Sequence, residues 1–191
     1  MQRSIFAIEM CLRMDPASPL LHALRQCIVE QPAEASFAVK WRAMRQASEI
    51  LLAHLASAEK GCWDYFENDA RAKSDFDMWV KGMTTAEGAR SEPSGVPDPY
   101  RGEARYLTFT MAYLMVQNSA ADLAIRALCN VPESHLWHRQ TFARILGGMG
   151  NLNFASVMGD VMYLIPREGD WGLTAADLTA EKFAYLRPIV D

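Results

Sequence analysis

Hydrophobic residues at the start of the chain alternate with a period of two. In the segment IFAIEMCLRM, one set of alternate positions is wholly apolar: Phe6, Ile8, Met10, Leu12 and Met14. Successive side chains of a β-strand point to opposite faces, so this alternation predicts a strand with one apolar face. The other set contains one acid, Glu9. Because a charged side chain is rarely buried, we expect Glu9 to mark the wetter face of the strand.

Two later segments also alternate as strands do. The segment YLTFTMAYLM, residues 106–115, is rich in the aromatic and β-branched side chains that suit a pleated sheet. The segment VMGDVMYLI, residues 157–165, alternates as well, and Pro166 follows it as a strand end. A helix is the alternative interpretation of this third segment.

The stretches between the strands follow a helical period. Ser18 can cap a first helix that begins near residue 20. The longest helical signal covers about residues 35–60, and Gly61 follows it as a C-terminal stop. A further helix is predicted within residues 64–82, where apolar side chains again recur every three or four positions.

Three more helix starts carry local signals. Ser119 and Thr174 each stand three residues before an aspartate, a pattern in which the hydroxyl caps the helix and the acid binds the first free amide. Pro132 opens another predicted helix, and the glycines within residues 147–150 end it. These are signals of local helix chemistry and not of an internal repeat.

Between residues 82 and 102, glycine, proline and serine interrupt both the strand-like and the helix-like periodicity of apolar residues. A loop of that length inside a compact domain is unusual and is either functional or disordered. Because strands are predicted on both sides of it, we interpret it as an excursion within a single domain of residues 1–191. The sequence thus predicts an α+β fold, in which a small, mainly antiparallel sheet of about three strands packs against several helices.

The composition is typical of a globular chain. Half of the 191 residues are hydrophobic and 22% are charged, which is enough apolar surface for a core without metals or disulfides. A net charge of -4 without any run of basic residues argues against nucleic-acid binding. No segment has the pattern of a signal peptide or an integral membrane span, so we expect a cytoplasmic protein.

Three segments carry a resemblance to a known family: IFAIEMCLRM, YLTFTMAYLM, and GDVMYLIPREGDWGLTAADLTAEKFAYLRPI near the end of the chain. In these segments and in the order of its predicted elements, the chain resembles domain-of-unknown-function family 1517. Members of that family often carry a membrane anchor, which is not predicted for this sequence, and HLWHRQTFARILGGMGN adds a helix where a shorter connection is expected. The family has no assigned reaction, so the resemblance implies an order of elements and no catalytic residue.

Glu9 and Asp160 are candidate catalytic residues, since each is the one acid in an otherwise apolar predicted strand. If the two strands were neighbours, the carboxylates would lie close together. Two close carboxylates cannot both ionise easily, so one pKa rises and an acid and base pair results. The alternative is that each acid lies on a wetter face or binds a nearby amide or arginine.

His135 and His138 are candidate metal ligands, and His138 is also a candidate catalytic residue. They are three positions apart on a predicted helix, which would place both imidazoles on one face. A third ligand would have to come from Cys129, Glu133 or a distant segment. Histidines at the surface or in helix packing are the alternative interpretation.

An acidic and aromatic segment is the candidate partner-binding site. Its proposed contact residues are Trp63, Asp64, Tyr65, Glu67, Asp69 and Trp79. Acids among large aromatic rings can bind a cation or a basic partner. The alternative is an amphipathic helix with a solvated acidic face.

The motifs of several large enzyme classes are missing from the sequence. There is no phosphate-binding glycine loop after a strand, no G-x-S-x-G and no H-E-x-x-H, and the sequence calls for no cofactor. We therefore expect a non-catalytic protein-interaction or scaffold module that binds another protein or itself. The alternative is a small-molecule-binding protein or enzyme that uses acidic residues and histidines in a pocket, and peripheral membrane binding is disfavoured by the acidic charge.

Overall fold

An antiparallel sheet forms the centre of the fold. The computed structural model describes residues 2–15, 18–29, 35–84, 102–167 and 171–191. Within these ranges the sheet has five strands: β1 (Arg3–Met14), β2 (Ala58–Phe66), β3 (Arg105–Val116), β4 (Val157–Ile165) and β5 (Arg187–Pro188). Their order across the sheet is β4-β3-β1-β2-β5, and every neighbouring pair is antiparallel. The α+β prediction is confirmed, but the expectation of about three strands missed β2 and β5.

Three of the five helices in the described ranges begin within about two residues of their predicted starts. The described ranges contain α1 (Leu20–Val29), α2 (Phe37–Ala53), α3 (Asp69–Thr84), α4 (Ala120–Cys129) and α5 (Arg139–Met149). Ser36 caps α2 by accepting a hydrogen bond from the amide of Val39 at 3.5 Å. Ser119 caps α4 in the same way, through the amide of Asp122 at 3.4 Å. Hydroxyl caps thus fix where these two helices begin.

The longest predicted helix is too long, because α2 ends at Ala53 and the chain then enters β2. Gly61 lies inside that strand and does not stop a helix. An added Cβ at Gly61 would lie 2.7 Å from Cε1 of Phe142, so glycine is required there by the close approach of α5 to the strand. The next predicted helix is also shortened, since its first residues belong to β2 and α3 begins at Asp69.

The two faces of the sheet are covered differently. On the first face, which we call the helical face, α1, α2, α4 and α5 bury the apolar residues predicted for β1 together with those of β3: Phe6, Ile8, Met10, Leu12, Leu107, Phe109, Met111 and Tyr113. On the second face, α3 covers one end of β1 and β3 through Ala72 and Phe76. The C-terminal segment covers the other end through Leu173, Leu178 and Phe183. Both faces of β1 are therefore buried.

Two later predictions are met only in part. Thr174 and Asp177 exchange hydrogen bonds as the capping pattern requires, at 2.9 and 3.1 Å, but only short 3-10 turns follow them. After Pro132 a 3-10 turn precedes α5, which continues through Gly147 and Gly148 to Met149. Glycine suits position 148 because its neighbour Leu128 of α4 leaves no room for a side chain.

Residues 85–101 of the predicted loop excursion at 82–102 lie outside the described residues, and residues 82–84 belong to α3. The single domain of residues 1–191 stays a prediction. Among the described residues, no helix combines the length and the apolar composition that crossing a lipid bilayer requires.

Candidate interaction groove

A groove of about 490 Å³ lies between strand β2 and helix α4. We call it the β2–α4 groove, and its lining residues are Trp63, Asp64, Tyr65, Leu123, Arg126, Ala127, Cys129 and Asn130. The first three were predicted from the sequence to bind a partner. All three lie on strand β2, although Asp64 and Tyr65 were predicted to belong to a helix.

The strand wall of the groove has an open edge. β2 pairs with β1 along one side, whereas on the other side β5 pairs only with Lys60 and Gly61. The backbone N–H and C=O groups of Gly61 point toward β5. Every second residue of a strand directs these groups to the same edge, so those of Trp63 and Tyr65 point to the β5 side as well. In the described part of the chain, no backbone group pairs with that edge beyond Gly61.

The two aromatic rings of the groove are held in position by their polar atoms. The indole Nε1 of Trp63 donates a hydrogen bond to the carbonyl oxygen of Leu136 at 2.9 Å. The phenol of Tyr65 donates to Oδ1 of Asp122 at 2.8 Å. Burial is the main cause that raises the pKa of the Tyr65 phenol to about 12. The phenol therefore stays protonated and able to donate at neutral pH.

Asp122 ties the walls of the groove to the sheet. Its side chain is fully buried and accepts hydrogen bonds from the Ser4 hydroxyl, from Tyr65, from the Asn118 amide at 2.7 Å and from Nη2 of Arg126 at 3.3 Å. A buried carboxylate is tolerated when it is paired in this way. The sequence predicts Asp122 only as part of a helix cap, because no local signal indicates that Ser4 and Tyr65 reach it.

The charges in the groove are unevenly paired. Arg126 forms ion pairs with Glu67 and with Asp122. Asp64 is exposed and makes no hydrogen bond or ion pair with any described residue. Its carboxylate is therefore available to a positively charged group of a partner. Glu67, predicted as a partner-binding residue, instead orients Arg126 at the rim.

Two further predicted contact residues do not line the groove. The carboxylate of Asp69 at the start of α3 accepts two hydrogen bonds from Arg3, at 2.6 and 2.9 Å, and this pairing lowers the pKa of Asp69. Asp69 is thus already paired within the chain. Trp79 lies in α3, and its side chain is outside the described part of the chain.

Glu9 is buried in the middle of the second face, so the expectation that it marks a wetter face is wrong. Its side chain is 5% exposed, because the C-terminal segment covers this part of the sheet. Oε2 of Glu9 accepts a hydrogen bond from the hydroxyl of Tyr185 at 2.7 Å. Burial raises the pKa of Glu9, and the hydrogen bond from Tyr185 opposes part of that rise.

Asp160 lies on the helical face, so the predicted carboxylate pair does not form. Glu9 aligns with Thr110, whereas Asp160 of β4 aligns with Tyr113, three positions farther along β3. Positions an odd number apart lie on opposite faces of a strand, and β3 also separates β1 from β4. Asp160 instead pairs with Nζ of Lys40 at 3.1 Å.

The two histidines lie beside a second cleft of about 460 Å³, and their ring centroids are 5.1 Å apart. His138 immediately precedes α5, whereas His135 belongs to the preceding 3-10 turn, so they do not share one helix as predicted. Neither Glu9 nor Asp160 lines this cleft. Across the described ranges, no three side chains of histidine, cysteine, aspartate or glutamate are grouped so that they could hold a metal ion.

A comparison of the chain with protein-family models, with curated protein sequences and with solved structures finds no match. The resemblance to domain-of-unknown-function family 1517 therefore stays a prediction.

Proposed function

We propose that this protein is a non-catalytic interaction module that binds another protein through the β2–α4 groove. The observation that carries the proposal is the combination, in one groove, of an open strand edge with aromatic rings already held in place. A partner would use the backbone groups of the edge and the apolar surface of the rings.

The groove requires little ordering before it can bind. Trp63 and Tyr65 are each fixed by a hydrogen bond to a neighbouring element. Folding has therefore already immobilised these side chains, so binding a partner does not have to reduce their conformational entropy further. Tryptophan and tyrosine are also among the residues that most often dominate the free energy of protein association.

The rim of the groove offers both apolar and charged contacts. Leu123 of α4 is 49% exposed, and Asp64 on the opposite wall is a free carboxylate among the described residues. An apolar centre with charged residues at its rim is the usual arrangement of a protein interface. These features support a partner whose contact surface is apolar and basic.

The alternative function, a pocket enzyme that uses Glu9, Asp160 and His138, receives no support from the geometry. Glu9 and Asp160 lie on opposite faces of the sheet, and neither lines the cleft that contains His138. A reaction that needs these three side chains together has no common site here.

The proposal is tested by affinity purification from the native host, followed by native mass spectrometry. Wild type is compared with Leu123→Arg, which places a long cation in the groove, and with Leu52→Arg, a matched change at an exposed leucine of α2. We expect one partner to be recovered with wild type and with Leu52→Arg and to be lost with Leu123→Arg. Equal recovery with all three proteins, or no partner with any of them, would contradict the proposal.

A further inference from the structure

We infer that the β2–α4 groove binds an extended segment of its partner by strand addition, with apolar and basic side chains alternating along that segment. The inference rests on the proposed function and specifies how the partner binds. In this mode, main-chain hydrogen bonds to the open edge supply affinity, and alternate side chains supply specificity.

The chain's own C-terminus already binds part of this edge in the same way. β5 pairs with Lys60 and Gly61, and the amide of Ile189 donates a hydrogen bond to the carbonyl oxygen of Glu59 at 2.9 Å. Before β5, the chain leaves the edge for the second face, where Tyr185 binds Glu9. A partner strand beyond Gly61 would continue an existing strand pairing.

The length of the open edge sets the length of the bound segment. Residues 62–66 of β2 pair with β1, and no described residue pairs with their other side. At a rise of about 3.4 Å per residue, these five residues present about 17 Å of edge. A segment of about five residues can therefore pair with it along its full length.

The walls of the groove define the side chains that the segment needs. Residues opposite Trp63 and Tyr65 would point to the helical face, into the space beside Leu123, where apolar side chains fit. The residue opposite Asp64 would share the other face with that free carboxylate, so a lysine or arginine is favoured there. The expected order is apolar, basic, apolar.

A second copy of this chain is a poor occupant of the edge. Asp64 is the middle residue of the open stretch 62–66, so full antiparallel overlap of two such edges would place each Asp64 opposite its equivalent. Like charges that face each other across a strand pair are destabilising. The charge pattern therefore favours a different chain with a basic residue at this position.

The test uses a fluorescein-labelled, amidated peptide of five residues that alternates valine and lysine. Two isomers carry two N-methyl groups each, one on two of the valine amides and the other on two of the lysine amides. A strand directs alternate amides to opposite edges, so only one isomer loses its hydrogen bonds to β2. Fluorescence anisotropy is expected to give binding of the parent peptide, about tenfold or greater weakening for one isomer, and little change for the other.

Changes in the protein locate the site. Leu123→Arg is expected to abolish binding of the parent peptide, whereas Leu52→Arg leaves it intact. A peptide with glutamate in place of lysine is expected to bind about tenfold or more weakly to wild type, and Asp64→Asn should reduce that preference.

The outcomes separate this inference from the proposed function. Equal binding of both methylated isomers, or no binding of the parent peptide, would overturn strand addition. In either case the proposed function stands if the native partner is still lost with Leu123→Arg. Strand addition in this groove is supported if only one methylated isomer binds more weakly to wild type and if the parent peptide no longer binds to Leu123→Arg.

Discussion

At the scale of single residues, Glu9 and Asp122 represent two ways of burying a carboxylate. Asp122 accepts hydrogen bonds from four groups, one of them the cation Arg126. Glu9 accepts a hydrogen bond from the neutral Tyr185 hydroxyl and lies near Thr108 and Thr110. Asp122 is therefore buried beside a compensating cation, whereas ionisation of Glu9 has a cost that its surroundings only partly offset.

We predict that Glu9→Gln stabilises the protein at neutral pH. Because the pKa of Glu9 is raised by folding, the folded state holds the proton more tightly than the unfolded chain, and wild-type stability falls as the pH rises above the ordinary carboxyl range. Glutamine has no charge to bury and can still accept the hydrogen bond from Tyr185. Each kcal/mol gained would raise the melting temperature by about 2–4 °C in a chain of this length.

Thermal unfolding of wild type and Glu9→Gln between acidic and neutral pH checks this prediction. The advantage of the variant should shrink as the pH falls, because the wild-type carboxyl then becomes neutral in both states. Glu49→Gln, at an exposed pair with Arg45 on α2, is the control and should show no such trend. An advantage that did not vary with pH would contradict the burial of the Glu9 charge.

We predict that Asp122→Ala destabilises the fold strongly. The change removes the carboxylate to which the buried Ser4 hydroxyl and the Tyr65 phenol both donate a hydrogen bond. Removing one partner from a buried charged network costs about 3–5 kcal/mol. Urea unfolding measures the loss. Asp64→Ala is the matched control, and a change of about 0.5 kcal/mol or less is expected because Asp64 is exposed and unpaired among the described residues.

At the scale of elements, the three strands that alternate in the sequence, β1, β3 and β4, could be predicted, whereas β2 and β5 could not. β1 and β3 could be recognised because each is 12 residues long and rich in apolar, aromatic and β-branched side chains. β2 has a mixed burial pattern, and its glycine resembles a helix stop. β5 has two residues, too few for any pattern. The length of α2 was overestimated because the apolar stripe of the helix continues through Leu55.

The role of Gly61 in β2 gives a prediction for this element. Gly61→Ala would place a methyl group 2.7 Å from the ring of Phe142, and such overpacking costs about 1–3 kcal/mol. Gly147→Ala is the matched control, because that position lies in α5 with no neighbouring atom within 4 Å. A gain of about 0.5–1 kcal/mol is expected there, since alanine favours the helix.

Chemical denaturation of both variants measures the two effects, and Gly61→Ala combined with Phe142→Leu should recover part of the loss. A Gly61→Ala protein as stable as wild type would show that β2 and α5 do not approach as closely as described.

At the scale of the whole molecule, the candidate groove could be predicted in composition but not in geometry. Trp63, Asp64 and Tyr65 were identified by their residue types. Leu123 and Arg126 were not, because they lie about 60 positions away and meet the others only through the packing of α4 on the sheet. The pairing of Glu9 with Asp160 failed for a related reason, since alternation predicts the faces of a strand but not the order of strands.

The C-terminal segment closes the second face, which gives a prediction for the molecule as a whole. Phe183 is 3% exposed in the cluster that covers Cys11 and Tyr106. Replacing a buried phenylalanine with alanine costs about 3–5 kcal/mol. We expect Phe183→Ala to lower the unfolding midpoint in urea and Glu181→Ala, at an exposed position two residues earlier, to leave it nearly unchanged.

The position of β1 at the centre of the sheet has a consequence during synthesis. β1 is made first, yet its partner β3 leaves the ribosome about 100 residues later, which takes about 5–20 s at typical rates of elongation. Until then β1, whose two faces are largely apolar, lacks one neighbour and much of the cover over those faces. Chaperones, or early pairing with β2, would protect β1 from aggregation until the sheet can be completed.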